Sequence, residues 1–510
     1  MKSGARAQLA GTLPPAADGA QIRKLAGHTL TYGVGAAAGK LLGLLLVPVY
    51  TRAVSTDQYG AIALLGVLAS VLLLLSTCGI TTAFFKFYYR QPAPARDRDL
   101  VTNATLAVLA FALPLSLLLG LLARPLAPLL LGPGASPRWL VLLAAANLVE
   151  ALLLIPATLY RAQERPRAYV ELSVGRLLLN FGLNVALVAG LNLGVLGVVM
   201  GNAVAPALLY LAVGVPMLGR LFSLRHARPG LVAQMVRYGL PLVPAGLALW
   251  ALNFSDRFFL EHYASMREVG LYSLGYAFGF VVAIAALFPF QTAWSPFMFS
   301  LADRPDAERA LAQAATYFLA FTVVLVLAVS VLSRDLIRVI SPPPYWEAYR
   351  VVPKIALAYG LLGLTLVLCS GILLTRRSEL AGLVYGSAGA INLGLNIALI
   401  PRFHQQGAAW ATLLSAAILP PSMYVFAQRA HPIPYEWPRL LRLGGCALAC
   451  YLVALQGPDL LWWGVALRLG AVAAFPVLLY AAGFYRHHEL AAGREALLRA
   501  LALPANPGGK

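Results

Sequence analysis

The sequence predicts an all-α polytopic membrane protein of 14 transmembrane helices: two parallel six-helix bundles followed by two C-terminal helices. Three observations carry that prediction. Hydrophobic residues make up 60% of the 510 and charged residues only 12%, against about 45–50% apolar and about 25% charged in soluble domains. Uncharged runs exceed the roughly 20 residues that cross a bilayer core: Val269 to Ala302 and Leu177 to Gly219 hold no Asp, Glu, Lys or Arg, and the second must cross twice. Basic residues sit in short groups between these runs, in a pattern that tests the span count independently.

Cutting the chain at charge and Pro/Gly clusters places spans at 29–51, 60–84, 100–123, 138–160, 169–189, 194–217, 232–255, 268–292, 310–333, 349–375, 380–400, 405–428, 440–456 and 461–483. With the N-terminus on the cytoplasmic side, 25 Lys/Arg fall on inside segments and 10 on outside segments. That asymmetry is the positive-inside bias, and one missed or extra helix would scramble it from that point on. The termini are therefore expected in the cytoplasm. Residues 1–28 form an N-terminal tail, 29–217 the first bundle, 218–231 a cytoplasmic linker, 232–428 the second bundle, 429–483 spans thirteen and fourteen, and 484–510 a C-terminal tail.

The net charge of +19 does not point to nucleic acid, because no segment gathers it. The tail 1–27 has no apolar core followed by a small-residue cleavage site and reads as cytoplasmic, not as a signal peptide. The four cysteines, Cys78, Cys369, Cys446 and Cys450, lie in apolar runs without metal spacing and read as small buried residues.

Asn180-Phe-Gly-Leu-Asn184 in the fifth span reads like Asn392-Leu-Gly-Leu-Asn396 in the eleventh, 212 residues later. Thr56-Asp57-Gln58-Tyr59-Gly60, opening span two, echoes Arg267-Glu268-Val269-Gly270, opening span eight. Both echoes are six helices apart. An even offset preserves orientation, so the halves are expected to be parallel repeats related by an axis along the membrane normal, with a cavity between them.

Glu150 and Lys40 lie near the middle of spans four and one. A charge at that depth costs at least about 2.5–3.5 kcal/mol on insertion scales, so each should face protein or water. Arg176 and Arg237 lie nearer the inner face, where Arg237 reads as an interfacial anchor. Asp256 and Arg257 close span seven, at the expected cavity rim. Arg350 and Lys354, one turn apart on span ten, share a face that suits an anion or a lipid headgroup. Arg468, about seven residues inside the last span, is placed to meet a lipid phosphate or to reach the outer surface. Gly35, Gly39 and Gly43 form a small-residue stripe, while Pro241 and Pro244 interrupt span seven, and Pro289 with Pro296 breaks or ends span eight. No nucleophile with its base, metal-ligand set or Gly-rich phosphate loop appears. The chemistry is expected to be transport, not catalysis.

The 14 spans, the Ser55-Thr56-Asp57-Gln58-Tyr59-Gly60 run, Asp256-Arg257-Phe-Phe-Leu followed by Val269-Gly270-Leu271-Tyr272-Ser273, and Asn392-Leu-Gly-Leu-Asn396 together resemble the bacterial and archaeal polysaccharide flippases of the multidrug, oligosaccharidyl-lipid and polysaccharide exporter superfamily. The resemblance covers nearly all of 29–483. It implies translocation of polyprenyl-diphosphate-linked oligosaccharide to the outer leaflet of the cytoplasmic (inner) membrane, by alternating access, for cell-surface polysaccharide. It also implies a cationic cavity, with Lys40, Arg176, Arg257, Arg350 and Lys354 as the substrate-binding candidates. Glu150 and Asp256 are candidates for ion coupling or charge balance, and Arg468 for a lipid-phosphate contact. Tyr88, Tyr272, Tyr276 and Trp294 could stack on sugars or simply pack.

No bound cofactor is implied, and a proton gradient, a sodium gradient or the membrane potential could supply the drive. The implied partners are the lipid-linked glycan, membrane lipids and the polysaccharide synthesis machinery, with no nucleic acid. A multidrug exporter of the same superfamily and a flippase for a lipid-linked peptidoglycan precursor are the alternatives.

Overall fold

The computed structural model describes residues 43, 45–89, 96–301, 305–375, 378–457 and 461–486. Every regular element among them is helical, as a bilayer requires of a chain whose backbone N–H and C=O groups must be satisfied internally. The hydroxyl groups within the spans follow the same rule. Thr77, Thr158, Thr316, Thr322 and Thr365 each donate to the carbonyl oxygen four residues earlier, at 2.7–3.0 Å, so an apolar helix carries them without an unmet donor.

Twelve helical stretches among the described residues are long and apolar enough to cross a membrane. One of them, Glu379–Ala430, contains a reversal at His404, whose backbone (φ 49°, ψ −128°) is not helical. Leu399 lies against Gly407 and the Asn392 amide reaches the Ser415 hydroxyl at 3.0 Å, so the two arms run antiparallel and correspond to expected spans eleven and twelve. Expected span one falls mostly outside the described residues, as do Lys40, Gly35 and Gly39.

Prolines bend this chain in two ways. At Leu240 and Pro241 the helix Pro229–Gly239 stops and Leu242–Phe254 begins, the interruption expected in span seven. In span eight the chain continues helically to Leu301, instead of ending near 292, through a wide π turn at Ala283–Leu287. Pro289 follows that turn just as Pro216 follows the π turn Tyr210–Gly214. A proline ring clashes with the carbonyl four residues earlier, here Ala285 or Ala212, and the widened register makes room for it.

The chain divides into two compact units. The first comprises Met1–Val49, Leu65–Leu129 and Pro133–Leu247; the second comprises Tyr50–Leu64, Leu130–Gly132 and Ala248–Lys510. The first is packed around Phe84, Leu100, Val108, Leu159 and Met235, all fully or almost fully buried. The second is packed around Trp294, Met298, Leu311, Met423 and Phe475.

Each unit contains one copy of the echoed asparagine segment. In the first, Asn184 donates to the side-chain oxygen of Asn180 at 3.1 Å, and Asn180 donates to Asn202 on the returning helix. In the second, Asn396 donates to the side-chain oxygen of Asn392 at 3.1 Å, and Asn392 donates to Ser415. Both hairpins close on glycine: Gly197 lies against the carbonyl of Leu187 and Gly407 against that of Leu399. The sequence echo is thus also a structural one.

Candidate functional site

The polar groups that the spans bury fall into separate clusters, distributed over both units. In the first, Glu150 on Pro137–Ala162 meets Arg176 on Pro166–Asn184, with Oε1 and Nη1 at 2.6 Å. Glu150 is largely enclosed, whereas the Arg176 side chain is 47% exposed. One turn before Glu150, Asn147 donates to the hydroxyls of Ser76 and Ser116 at 2.8 and 3.1 Å. Three helices are thereby tied together beside the ion pair.

In the second unit Asp256 and Arg257, expected at a cavity rim, are buried. Ser255, with near-helical backbone (φ −65°, ψ −27°), joins Leu242–Phe254 to Asp256–Tyr263, and both charged side chains are buried. Arg257 Nη1 donates to Asp256 Oδ1 at 2.9 Å and to the Asn253 carbonyl at 3.3 Å. Its guanidinium also lies 4.4 Å from the ring centre of Tyr276 and 5.4 Å from that of Tyr272. The other carboxylate oxygen of Asp256 accepts from the Tyr272 hydroxyl at 2.5 Å, and Tyr276 pairs with Tyr359 at 2.6 Å. A charge removed from water is tolerable only when paired and hydrogen-bonded; here an acid, three tyrosines and a backbone carbonyl meet that need. The pair is electrically neutral as it stands.

Lys354 is different. Half-buried on Val352–Leu368, it donates to the Arg350 carbonyl at 3.0 Å and to Gln406 Oε1 at 2.8 Å, and stands 5.3 Å from the ring centre of Trp410. These partners are neutral, so its positive charge is oriented without being cancelled. Arg350 is exposed, and the face these two residues were expected to share is occupied in part by Gln406 and Trp410.

Arg468, expected to reach a lipid phosphate or the outer surface, is buried and meets a protein carboxylate: its Nη1 lies 2.7 and 2.9 Å from the two oxygens of Asp335. This fixes Leu461–Ala481 to the long helix Ala307–Ile340. Trp294 is buried and donates to the Ser370 hydroxyl at 2.9 Å, and Tyr88 is buried and accepts from Arg96 at 2.9 Å. Asp335, Tyr359, Gln406 and Trp410 were not singled out from the sequence. Asp335 falls just past the expected end of span nine, where an acid reads as a loop charge, and the other three have no signal in one sequence. No group of three or more His, Cys, Asp and Glu among the described residues could hold a metal.

Comparison with known proteins assigns the chain a family and a fold. A family model described as "Polysaccharide biosynthesis protein" matches residues 26–302. Among solved structures, the lipid II flippase MurJ in an inward-closed conformation superposes with a TM-score of 0.72 at 12% identity, covering 89% of this chain and 100% of that one. An inward-facing multidrug-resistance MATE transporter of the MOP superfamily gives 0.61 at 13% identity, covering 76% and 94%. The MATE multidrug transporter DinF-BH gives 0.53 at 14% identity, covering 80% and 95%. No curated protein matches the chain. At such identities the superpositions establish the fold alone, and the family model establishes more: this multi-pass membrane protein belongs to the polysaccharide biosynthesis protein family, with the fold of the MOP-superfamily transporters.

Proposed function

We propose that this chain moves polyprenyl-diphosphate-linked oligosaccharide from the inner to the outer leaflet of the bacterial or archaeal cytoplasmic membrane by alternating access. The observation that carries this reading is the set of basic side chains held on membrane-spanning helices by oriented oxygens. Arg176 is half-exposed beside Glu150, and Lys354 is held by neutral partners. A diphosphate with sugars cannot cross hydrocarbon unaided, whereas its polyprenyl tail is comfortable in lipid. The protein need only hold the head on Lys and Arg while the tail stays in the bilayer. Family membership supports polysaccharide precursors as the cargo class.

In this reading Lys40, Arg176, Arg257, Arg350 and Lys354 contact the substrate at different stages. Glu150 and Asp256 set how much positive charge faces it: each carboxylate that lets go of its arginine frees a cation for the diphosphate. Coupling to a proton gradient, a sodium gradient or the membrane potential is assigned to Glu150, with no bound cofactor. Both termini lie in the cytoplasm, and the synthesis machinery supplies the substrate from that side.

Two other readings are favoured by the structural likenesses. The MurJ superposition suits a lipid-linked peptidoglycan precursor, and the MATE superpositions suit a multidrug exporter. One experiment separates them. Liposomes containing the purified protein and a fluorescent polyprenyl-diphosphate oligosaccharide should show protein-dependent translocation. Movement of lipid II alone would select the first alternative, and export of hydrophobic cations without lipid movement the second.

A further inference from the structure

The linker between the two predicted bundles is not a loose tether. Asn103, fully buried on Arg96–Leu121, donates to the carbonyls of Asp99 and His226 at 2.6 and 3.0 Å and accepts from the backbone N–H of Arg228 at 2.7 Å. Thr102 accepts from the backbone N–H of Ser223 at 3.1 Å. The Asp99 carboxylate, 5% exposed, takes His226 Nδ1 at 2.7 Å on one oxygen and Arg228 Nη2 at 3.0 Å on the other. Segment 223–228 is thereby clamped against the helix Arg96–Leu121, its backbone and side chains both held.

Beside the clamp is an open trough of about 390 Å³, lined almost wholly by apolar atoms of Leu106, Ala227, Arg228, Pro229, Val232, Ala233 and Val236. That volume lies within the roughly 300–1,000 Å³ of small-molecule sites. The lining is aliphatic, so it suits a hydrocarbon chain. Around it the linker 218–231 carries Arg220, Arg225 and Arg228 with no acid of its own. Arg225 is exposed, the Arg228 side chain is 60% exposed, and Leu224 beside them is 71% exposed. Asp99 offsets only part of this charge. An exposed leucine among arginines, next to an aliphatic trough, is the pattern of a segment at the membrane surface, where basic side chains meet lipid headgroups.

We propose that this trough is a binding site for an anionic phospholipid of the leaflet that the linker faces, with an acyl chain in the trough and the phosphate on Arg225 and Arg228. The site lies within the first unit and is independent of which substrate the protein carries. A zwitterionic lipid would fill the trough equally well, but the cationic group of its headgroup offsets the phosphate and it gains less from the arginines, so headgroup selectivity is the signature of the site.

Purified protein in detergent, titrated with a fluorescent phosphatidylglycerol, should bind it at least tenfold more tightly than the matching phosphatidylcholine. R225Q, which leaves the clamp untouched, should reduce that preference severalfold. A233W, which fills the trough from an exposed helical position, should weaken both lipids. Inorganic phosphate at millimolar concentration should not compete. Equal affinity for the two lipids, undiminished binding by A233W, or full displacement by inorganic phosphate would each overturn the proposal. So would displacement by polyprenyl diphosphate at lower concentration than by phosphatidylglycerol, because that would make the trough a substrate entry site.

Discussion

Gly60 and Gly270 pack backbone to backbone. A Cβ on Gly60 would stand 2.1 Å from the carbonyl oxygen of Met266, and a Cβ on Gly270 would stand 2.1 Å from that of Thr56. The contact is reciprocal, each glycine meeting the carbonyl four residues before the other. These are the segments that echo each other in the sequence, and both belong to the second compact unit.

Because backbone cannot yield as a flexible side chain can, G60A and G270A should each destabilise the protein by about 1–3 kcal/mol, the usual cost of overpacking. G43A, with nothing within 4 Å of the added carbon, is the control. Thermal unfolding of detergent-solubilised protein, followed by monodispersity on a sizing column, reads the difference. Unchanged melting in both variants would mean that the helices separate at no cost.

Arg468 and Asp335 should behave as a buried pair. Removing one partner alone, as in R468M or D335L, leaves an uncompensated charge and should cost about 3–5 kcal/mol. The double variant should recover much of it, through a coupling that a double-mutant cycle measures. Additive losses would show that the two side chains act separately.

For Glu150 and Arg176 the two roles make different demands. If the pair sets the charge offered to substrate, R176Q should weaken binding of the lipid-linked glycan at normal folded yield. E150Q should bind it at least as well, yet lose any dependence of transport on the coupling gradient. A purely structural pair predicts instead that each single neutralisation lowers yield and that the double neutralisation restores it. Expression-normalised binding and transport, with and without proton and sodium gradients, distinguish these outcomes.

Lys40 and Lys354 are both expected to act as point charges. K40R and K354R should keep much of the transport, and K40A and K354M should lose most of it, roughly tenfold for a lost charge-assisted contact of about 1.4 kcal/mol. Full activity in both neutral variants would remove them from the substrate path.

Orientation has a direct check. Single cysteines replacing Arg225 in the linker and His404 in the reversal should be labelled by impermeant reagents from opposite sides, 225 from the cytoplasm and 404 from outside. Labelling of both from one side would overturn the assignment of inside and outside segments.

The sequence by itself determined that this chain is a membrane protein, because composition and run length are properties of the chain alone: no packing can hide 60% apolar residues in water. It also located the break at Pro241, the reversal between 400 and 405, and the paired asparagine segments, since proline and repeated side chains act locally. Membership of the polysaccharide family was legible in the order of several short motifs, each weak alone.

Only the tertiary structure decided what the buried charges meet. Arg468 could reach for a lipid phosphate until Asp335, 133 residues away, is found against it. Asp256 and Arg257 are neighbours in the chain, yet the tyrosines that make their burial tolerable come from Met266–Gly279 and Val352–Leu368. The continuation of span eight past Pro289 likewise depends on a π turn that no single residue announces. Depth along a helix follows from counting residues, but partnership across helices depends on rotation and register, which the packing of apolar side chains sets only when the bundle forms.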